Sequence, residues 1–277
     1  YDWSALTAEQ LDSVLEQVLE KVKEEEIMEL LRSSSRYLYS LKQGVAIVKA
    51  TLLAMSEQAK LGDFRPVAFE VGFGPKEKWP GWQLQLPDGE TLILEGRIDR
   101  IDIAQENGET HQFWLRVVDF KSSNKDLLPE EIAHGVSLQL PVYLKVALDN
   151  AQDFAEGAPK PAGMFYMTVQ DKMKNEGSPY TGPGEIRLNG LPILEKNSVL
   201  LAERDLQGRA QTIPVSLKAD GSFGAGKGIH LEECEKLTEE VAACIRQTVS
   251  RIQAGEVHAQ PWQSSAGSAC DYCDYAS

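Results

Sequence analysis

A chain of 277 residues, 42% hydrophobic and 25% charged, has the composition of a globular protein and is long enough to bury a core. Its formal net charge of −14 argues against a protein that coats nucleic acid non-specifically. No apolar run approaches the roughly 18 residues that span a bilayer, no secretory signal is visible, and four cysteines are too few for a disulfide scaffold.

The first sixty residues carry two helical patterns. Apolar residues recur at helical spacing from 11 to 22, and Thr7 with Gln10 predicts a capping box. A second pattern runs from about 35 to 60, with Gly62 as a natural stop. We therefore predict an N-terminal helical segment, residues 1–62, packed on a core of residues 63–277. The first residue is not Met and the chain stops just after a cysteine pair, so we interpret it as a fragment of a longer polypeptide.

The pattern changes to strands after residue 62. Val67, Phe69 and Val71 alternate around Glu70, which is typical of a strand. Further strands are predicted at 91–103 and 113–122, separated by turn formers at 105–109.

The second half of the chain mixes both kinds of pattern. It predicts a helix at 129–149, a short strand at 164–169, a Gly- and Pro-rich loop at 175–190 and a last helix at 231–254. The order of these elements predicts an α/β fold, in which helices flank a central mixed β-sheet and further helices precede it.

Charged residues cluster on two neighbouring predicted strands. One reads Gly96-Arg-Ile-Asp99-Arg-Ile-Asp102, and the other reads Val117-Val-Asp119-Phe-Lys121. Because strand side chains alternate in direction, Asp119 and Lys121 project from the same face. A carboxylate beside an ammonium group is a way to hold a divalent cation and a phosphate together, and oxygen ligands suit Mg²⁺.

This interpretation requires a particular strand register. A strict two-residue hairpin at Asn107-Gly108 would place Asp99 opposite Arg116 and send Asp119 to the other face. For Asp99 and Asp119 to share one cation, the connection must have odd length or one strand must contain a bulge. We predict a longer loop centred near Glu109, or such a bulge.

The alternative interpretation needs no cation. Asp99, Arg100, Asp102, Asp119 and Lys121 would then be exposed strand residues that form cross-strand ion pairs, which are common and contribute little stability.

Three sequence blocks resemble the RecB-type branch of the PD-(D/E)XK nucleases. They are the two blocks above, the second extended to Ser123, and Gln139-Leu-Pro-Val-Tyr143-Leu, in order and at suitable separation. The ending Cys270-Asp-Tyr-Cys273 narrows the resemblance to the AddB-type family, whose members carry a C-terminal nuclease domain and belong to bacterial AddAB helicase–nucleases that process double-strand DNA ends. The resemblance implies a restriction-endonuclease-like core, DNA as the substrate and an AddA-like helicase–nuclease subunit as partner.

The resemblance also implies roles for single residues. Asp99 and Asp119 would be metal-binding carboxylates, the main-chain carbonyl of Phe120 a further ligand, and Lys121 the catalytic lysine. Gln139 would position catalytic groups or DNA. The implied chemistry is phosphodiester hydrolysis assisted by Mg²⁺ or Mn²⁺.

The resemblance also suggests two secondary site residues, and the sequence lacks one ligand that the family often has. Tyr143 shares a helix face with the glutamine four residues before it, and Glu70 matches a position that is frequently acidic. Members of this branch often supply a histidine ligand from a helix before the first strand, but residues 36–62 contain none. We therefore expect water or another oxygen to complete the ligand set.

Two of the four cysteines match a cluster-binding pattern and two do not. AddB-like proteins use four cysteines for a [4Fe–4S] cluster, and Cys270 and Cys273 match two of them; the other two would lie outside this chain, so the cluster site is incomplete here. Cys234 and Cys244 are most simply buried small hydrophobes. A zinc site made from all four has poor spacing.

A glycine-rich segment nearly matches the sequence motif of a phosphate-binding loop. The stretch Gly221-Ser-Phe-Gly-Ala-Gly-Lys227-Gly228 lacks the final Ser or Thr, so we interpret it as a flexible connector.

The leading hypothesis is thus a metal-dependent deoxyribonuclease domain in the cytoplasm, with no membrane partner. The rival is a catalytically inactive domain that binds DNA ends and acts as a scaffold for the Fe–S element. The negative net charge requires local positive charge at the cleft, which we assign to Arg97, Arg100, Lys121, Lys125 and Lys145.

Overall fold

The computed structural model describes residues 2–22, 35–106, 111–169, 187–258, 260–264 and 267–273. Within these ranges the helices are α1 (Ala8–Val22), α2 (Ser35–Leu61), α3 (Pro129–Ala133), α4 (Gln139–Asp149), α5 (Lys196–Ala202) and α6 (Leu231–Gln253). The longer strands are β1 (Arg65–Phe73), β2 (Trp82–Gln85), β3 (Thr91–Leu94), β4 (Gly96–Gln105), β5 (Gln112–Lys121), β6 (Ala158–Thr168) and β7 (Leu188–Pro192). The two-residue strands are β8 (Gly208–Arg209), β9 (Ser216–Leu217), β10 (Gln263–Ser264) and β11 (Gly267–Ser268).

A five-stranded mixed sheet forms the centre of the fold. Its strand order is β1-β4-β5-β6-β7, and every neighbouring pair is antiparallel except β5 and β6. The parallel pair requires a crossover connection, which α3 and α4 provide. This architecture confirms the predicted α/β fold with helices on both faces of a mixed sheet.

Each face of the sheet is covered by a different set of helices. One face packs against α3, α4 and α6, and we call it the site face; its core includes Leu115, Val117 and Tyr166. The opposite face packs against α2 and α5 through residues such as Met55 and Val199. Burial of β5 on both faces explains why its sequence is almost continuously apolar before Asp119.

The N-terminal helices follow the sequence pattern closely. Thr7 and Gln10 form the predicted capping box, because the Gln10 side chain accepts from the Thr7 amide at 2.9 Å and the Thr7 hydroxyl accepts from the Gln10 amide at 3.3 Å. Helix α2 ends at Leu61, beside the predicted stop at Gly62. The division of the chain at residue 62 into two structural parts stays a prediction.

Four sequence predictions of elements were wrong in extent, and one of them is the short strand predicted at 164–169, which belongs to the 11-residue strand β6. The helix predicted at 129–149 is two helices, because Gly135 adopts a φ of 77° after α3, and Pro141 is tolerated in the first turn of α4. The strand predicted at 91–103 is divided between β3 and β4. The loop predicted at 175–190 overlaps β7 from Leu188, whereas residues 175–186 and the predicted turn at 107–109 lie outside the described residues.

The sequence did not predict α5 or the short strands β2 and β8 to β11. Helix α5 has only seven residues, too few for a clear helical period in the sequence. No helix in the described part of the chain combines the length and apolar character needed to cross a membrane.

Candidate metal centre at the margin of the sheet

The register of β4 and β5 brings the two predicted aspartates together. Arg100 pairs with Val118, and one further step along the antiparallel ladder places Asp99 opposite Asp119. Directly opposed side chains project from the same face and lie within a few ångströms of one another. Gln105 pairs with Phe113, so the connection has an odd number of residues centred on position 109, which confirms the predicted register.

Asp119 is the buried carboxylate of this cluster, and the partly exposed Lys121 lies against it. The Asp119 side chain is 2% exposed, and its Oδ2 lies 2.5 Å from Nζ of Lys121. That oxygen nevertheless lacks a well-directed hydrogen bond to any described group. Burial raises the pKa of Asp119 above its usual range, and the nearby Asp99 carboxylate adds to this effect while Lys121 opposes it. A buried, electron-rich oxygen without a directed donor is suited to a cation.

Asp99 controls the main chain that follows Asp119. Its Oδ2 accepts a hydrogen bond from the Phe120 amide at 2.8 Å. This contact fixes the peptide at the margin of the sheet, so Asp99 orients the residue whose carbonyl the resemblance assigns to the metal. The Phe120 side chain packs on the opposite face, against the core that includes α2.

Helix α4 supplies the polar groups above the lysine. The Gln139 Oε1 atom accepts from Nζ of Lys121 at 3.2 Å, and the Gln139 Nε2 atom donates to the Tyr143 hydroxyl at 2.9 Å. Gln139 and Tyr143 therefore share one helix face, as their spacing predicted, and form a hydrogen-bonded chain that ends at Lys121. Burial raises the pKa of Tyr143, so its hydroxyl stays protonated at neutral pH.

Glu70 stands level with Asp99 on the neighbouring strand. Phe69 pairs with Arg100 and Val71 pairs with Ile98, so Glu70 falls between them without a ladder partner. Its φ is 53°, and it is the non-glycine residue with positive φ among those described. Such a conformation costs of order 1–3 kcal/mol and is found preferentially at functional sites. Glu70 is exposed and adjacent to the cluster, so it remains a secondary candidate.

The prediction that Arg100 provides positive charge at the cleft was wrong. Arg100 and Asp102 point to the opposite face, because they are one and three residues from Asp99 and side chains alternate. Asp102 accepts from Arg100 at 2.6 Å and from Arg116 at 2.7 Å, and all three side chains are buried. Burial tends to raise the pKa of Asp102, but the two guanidinium groups outweigh it and hold that pKa below its usual range.

Of the other cations expected at the cleft, Arg97 and Lys145 lie near carboxylates, whereas Lys125 lies against an aromatic ring. Arg97 lies 3.7 Å from a carboxylate of Glu77, and Lys145 lies 2.5 Å from a carboxylate of Asp149. Lys125 contacts the ring of Tyr166, with Nζ 5.0 Å from the ring centroid.

Tyr166 is the neighbour of the site that the sequence did not reveal. It is fully buried on β6, its hydroxyl lacks a partner among the described groups, and burial together with Asp119 raises its pKa to about 12. The only signal was a tyrosine inside the apolar run from Met164 to Met167, and that pattern is typical of an ordinary core strand. Its position becomes clear only from the parallel register that pairs it with Asp119.

The donor set fits a magnesium-like ion. The oxygens of Asp99 and Asp119 and the carbonyl of Phe120 are hard ligands, and Mg²⁺ binds through one or two carboxylates while it keeps several waters. Within the described ranges no group of three or more His, Cys, Asp or Glu side chains gathers around one point. The site would thus rely on water or substrate oxygens for its remaining ligands.

The cysteines and the glycine-rich segment lie outside this cluster. Cys270 and Cys273 are exposed and bracket one short helical turn, in which the Cys273 amide donates to the Cys270 carbonyl at 3.2 Å. Cys234 is buried, which raises its pKa to about 11 and keeps the thiol protonated, unlike a zinc ligand. Lys227 of the glycine-rich segment lies in the connector between β9 and α6, and it forms an ion pair at 2.6 Å with Asp126, which lies between β5 and α3.

A mixed sheet with two aspartates, a main-chain carbonyl and a lysine at one margin defines an α/β protein of the restriction-endonuclease type. The chain belongs to the PD-(D/E)XK nuclease superfamily, whose family model matches residues 3–277. Nucleases of this superfamily use divalent metals.

Similar curated proteins share one name, that of the AddB subunit of an ATP-dependent helicase/deoxyribonuclease. The chain is 32% identical to this subunit from Moorella thermoacetica over 99% of its length. It is 31% identical to the same subunit of Desulforamulus reducens and 30% identical to that of Lysinibacillus sphaericus, over 100% and 99% of its length. The chain spans about a quarter, 24%, of the length of each of these relatives.

Proposed function

We propose that this chain is a nuclease domain that hydrolyses DNA phosphodiester bonds with Mg²⁺ or Mn²⁺. The observation that carries the proposal is the convergence of Asp99 and Asp119 from paired strands. The ammonium group of Lys121 lies against the carboxylate of Asp119. Ion pairs made only for stability do not require a buried carboxylate whose pKa is raised, so the cluster favours a functional site.

Each residue of the cluster would have a separate role in the hydrolysis. Asp99 and Asp119 hold the cation, and Asp99 also fixes the Phe120 peptide. When bound, a divalent cation makes water a better nucleophile at neutral pH and offsets the charge that develops on the phosphate. Lys121 places a second positive charge at the scissile phosphate, where negative charge increases in the transition state. Gln139 fixes the position of that ammonium group from α4.

The names of the relatives extend the proposal to a larger assembly. We propose that the domain acts in the processing of double-strand DNA ends within an AddAB-like helicase–nuclease in the cytoplasm, with an AddA-like subunit as partner. Cys270 and Cys273 would supply two of the four thiolates of a [4Fe–4S] cluster, since both are exposed and one turn apart.

The proposal is tested by cleavage of a labelled DNA strand with added Mg²⁺, Mn²⁺ or EDTA, in parallel with calorimetric titration of Mg²⁺ into the chain. We expect cleavage with either metal, none with EDTA, and a binding heat that Asp99→Asn removes. Metal-independent DNA binding without cleavage would contradict the proposal and favour the alternative, an inactive domain that binds DNA ends and supports the Fe–S element.

Gln139 offers a more specific test of the mechanism. Gln139→Ala removes the acceptor that holds Lys121, so we expect kcat to fall by roughly 10- to 100-fold, within the range for a group that orients a catalytic charge. Tyr143→Phe removes only the contact to the Gln139 amide, and kcat should fall less.

A matched control is Gln152→Ala, because Gln152 donates to the Gly157 carbonyl at 2.8 Å on the surface, away from the site. Its cleavage rate should equal that of the parent chain. Equal rates for Gln139→Ala and Gln152→Ala would remove Gln139 from the mechanism.

A further inference from the structure

The aromatic ring of Tyr166 lies beside Asp119 and under two lysine side chains. The parallel register of β5 and β6 pairs Asp119 with Tyr166 and Lys121 with Thr168, so the side chains of these four residues share the site face. Tyr166 is fully buried, and its ring therefore has a fixed position next to the aspartate.

Two ammonium groups stand over this ring. Nζ of Lys121 lies 5.7 Å from the centroid of the Tyr166 ring, and Nζ of Lys125 lies 5.0 Å from the same point. Both distances fall within the roughly 6 Å over which an aromatic ring attracts a cation. The ring thus gathers two positive charges that come from the end of β5 and from the loop that follows it.

The two lysines differ in their negative partners. Lys121 is paired with Asp119 at 2.5 Å, whereas Lys125 acts on Asp119 only at longer range and, among the residues that the structure describes, forms no ion pair with a carboxylate. The neighbouring Asp126 instead pairs with Lys227 at 2.6 Å. Lys125 therefore presents positive charge beside the site, in a chain whose formal net charge is −14. A phosphate oxyanion is the ligand that such a charge attracts most strongly next to a phosphodiester site.

We propose that Lys125 binds the DNA backbone phosphate next to the one that is cleaved, and that Tyr166 positions Lys125 through its ring. The proposal rests on the proposed function, because it takes Lys121 as the group that contacts the scissile phosphate. Two ammonium groups on one ring would then contact consecutive phosphates of one strand. Because the contact is to phosphate, it contributes affinity that does not depend on base sequence.

The test measures how binding depends on salt. Binding of a labelled single-stranded oligonucleotide is followed by fluorescence anisotropy over a range of KCl concentrations, with the chain of 277 residues in which Asp119→Asn prevents cleavage. Loss of one phosphate contact to a single strand reduces the slope of log K against log[salt] by about 0.7. We expect Lys125→Ala to weaken binding and to reduce the slope by about this amount, and Lys125→Arg to restore it. In the chain that retains Asp119 and cleaves DNA, Lys125→Ala should raise KM and leave kcat unchanged.

Lys160 provides a matched control. Its Nζ lies 5.2 Å from the centroid of the Trp114 ring, and Trp114 and Lys160 pair across the same two strands. It lies six residues before Tyr166 on β6, about 20 Å away along the strand. Lys160→Ala removes the same charge from the same kind of contact and should leave the salt slope unchanged.

The role of the ring is tested by two substitutions. Tyr166→Phe keeps the aromatic face and removes a buried hydroxyl that has no described partner, so the salt slope should stay as in the parent chain. Tyr166→Leu removes the aromatic face and should reduce the slope as Lys125→Ala does. Urea unfolding of each variant establishes that the compared proteins are folded.

Each outcome separates this inference from the proposed function. An unchanged slope and KM in Lys125→Ala would overturn the inference even if the parent chain cleaves DNA. Equal losses in Lys125→Ala and Lys160→Ala would overturn it as well, because the effect would then be one of net charge. Binding that depends on Lys125, in a chain that cleaves nothing with Mg²⁺ or Mn²⁺, would support the phosphate contact and overturn the proposed nuclease.

Discussion

Replacement of Asp119 by asparagine is expected to lower the rate of DNA cleavage by at least about 10³-fold, because the cation would lose one of two charged ligands. Asparagine keeps the size and planarity of the side chain, so the change removes charge and leaves the packing of β5 intact. Single-turnover cleavage with saturating Mg²⁺ measures the rate, and calorimetry should show weaker Mg²⁺ binding in the same variant.

The same substitution should not destabilise the chain in the absence of metal. Burial raises the pKa of Asp119, which means that the ionised carboxylate is less stable in the folded protein than in water. At neutral pH the neutral amide avoids this cost, while Lys121 remains partly exposed and can be solvated. We therefore expect the free energy of unfolding in EDTA to be unchanged or higher.

Asp88→Asn is the matched control. Asp88 accepts from the Glu90 amide at 3.0 Å in the exposed turn between β2 and β3, and it makes no described contact with the site residues. Cleavage by this variant should equal that of the parent. Cleavage by Asp119→Asn at the parental rate would show that Asp119 does not bind the essential cation.

The sequence predicted the relative positions of several site-face residues more accurately than it predicted the bounds of the elements around them. Strand alternation placed Asp119 and Lys121 on one face. The position of Asp99 opposite Asp119 was predicted only from the condition that both bind one cation, because a two-residue hairpin at Asn107-Gly108 would have sent Asp119 to the other face. The four-residue spacing of Gln139 and Tyr143 predicted that both side chains lie on one helix face, because helix geometry is periodic.

What the sequence could not predict depends on contacts between distant segments. Tyr166 joins the site only because β6 lies parallel to β5, and the intervening crossover sets that register. Arg100 resembled an exposed cation because its neighbours are charged, yet Arg116 from the next strand and Met167 from β6 enclose it. Pairing between strands decides the burial of such residues, and the local pattern does not record it.

Replacement of Asp102 by asparagine is expected to lower the free energy of unfolding by roughly 3–5 kcal/mol, more than the replacement of Asp119 or Asp149. Its carboxylate accepts from Arg100 at 2.6 Å and 2.8 Å and from Arg116 at 2.7 Å, and its side chain is 0% exposed. The guanidinium of Arg116 also lies 4.3 Å from the centroid of the Phe64 ring. Removal of the carboxylate charge would leave two buried guanidinium groups without an anion.

The pH dependence of stability should change with this substitution. The pKa of Asp102 is lowered in the folded state, so its contribution to stability is complete above the pKa of the unfolded chain and is lost as the pH falls through the folded value. The parent should thus lose stability on acidification below about pH 4, the ordinary range of an aspartate. Asp102→Asn should lose less over the same interval, because its charge is already absent.

Urea unfolding at neutral and acidic pH measures both effects, with Asp149→Asn as the control. Asp149 is 49% exposed and pairs with Lys145 on the surface of α4, so its loss should cost less than about 1 kcal/mol. Since Asp102 and Asp99 project from opposite faces of β4, the folded fraction of Asp102→Asn should still cleave DNA. A loss below about 1 kcal/mol at neutral pH would mean that the two arginines find other partners or water, and that this ion cluster does not stabilise the sheet.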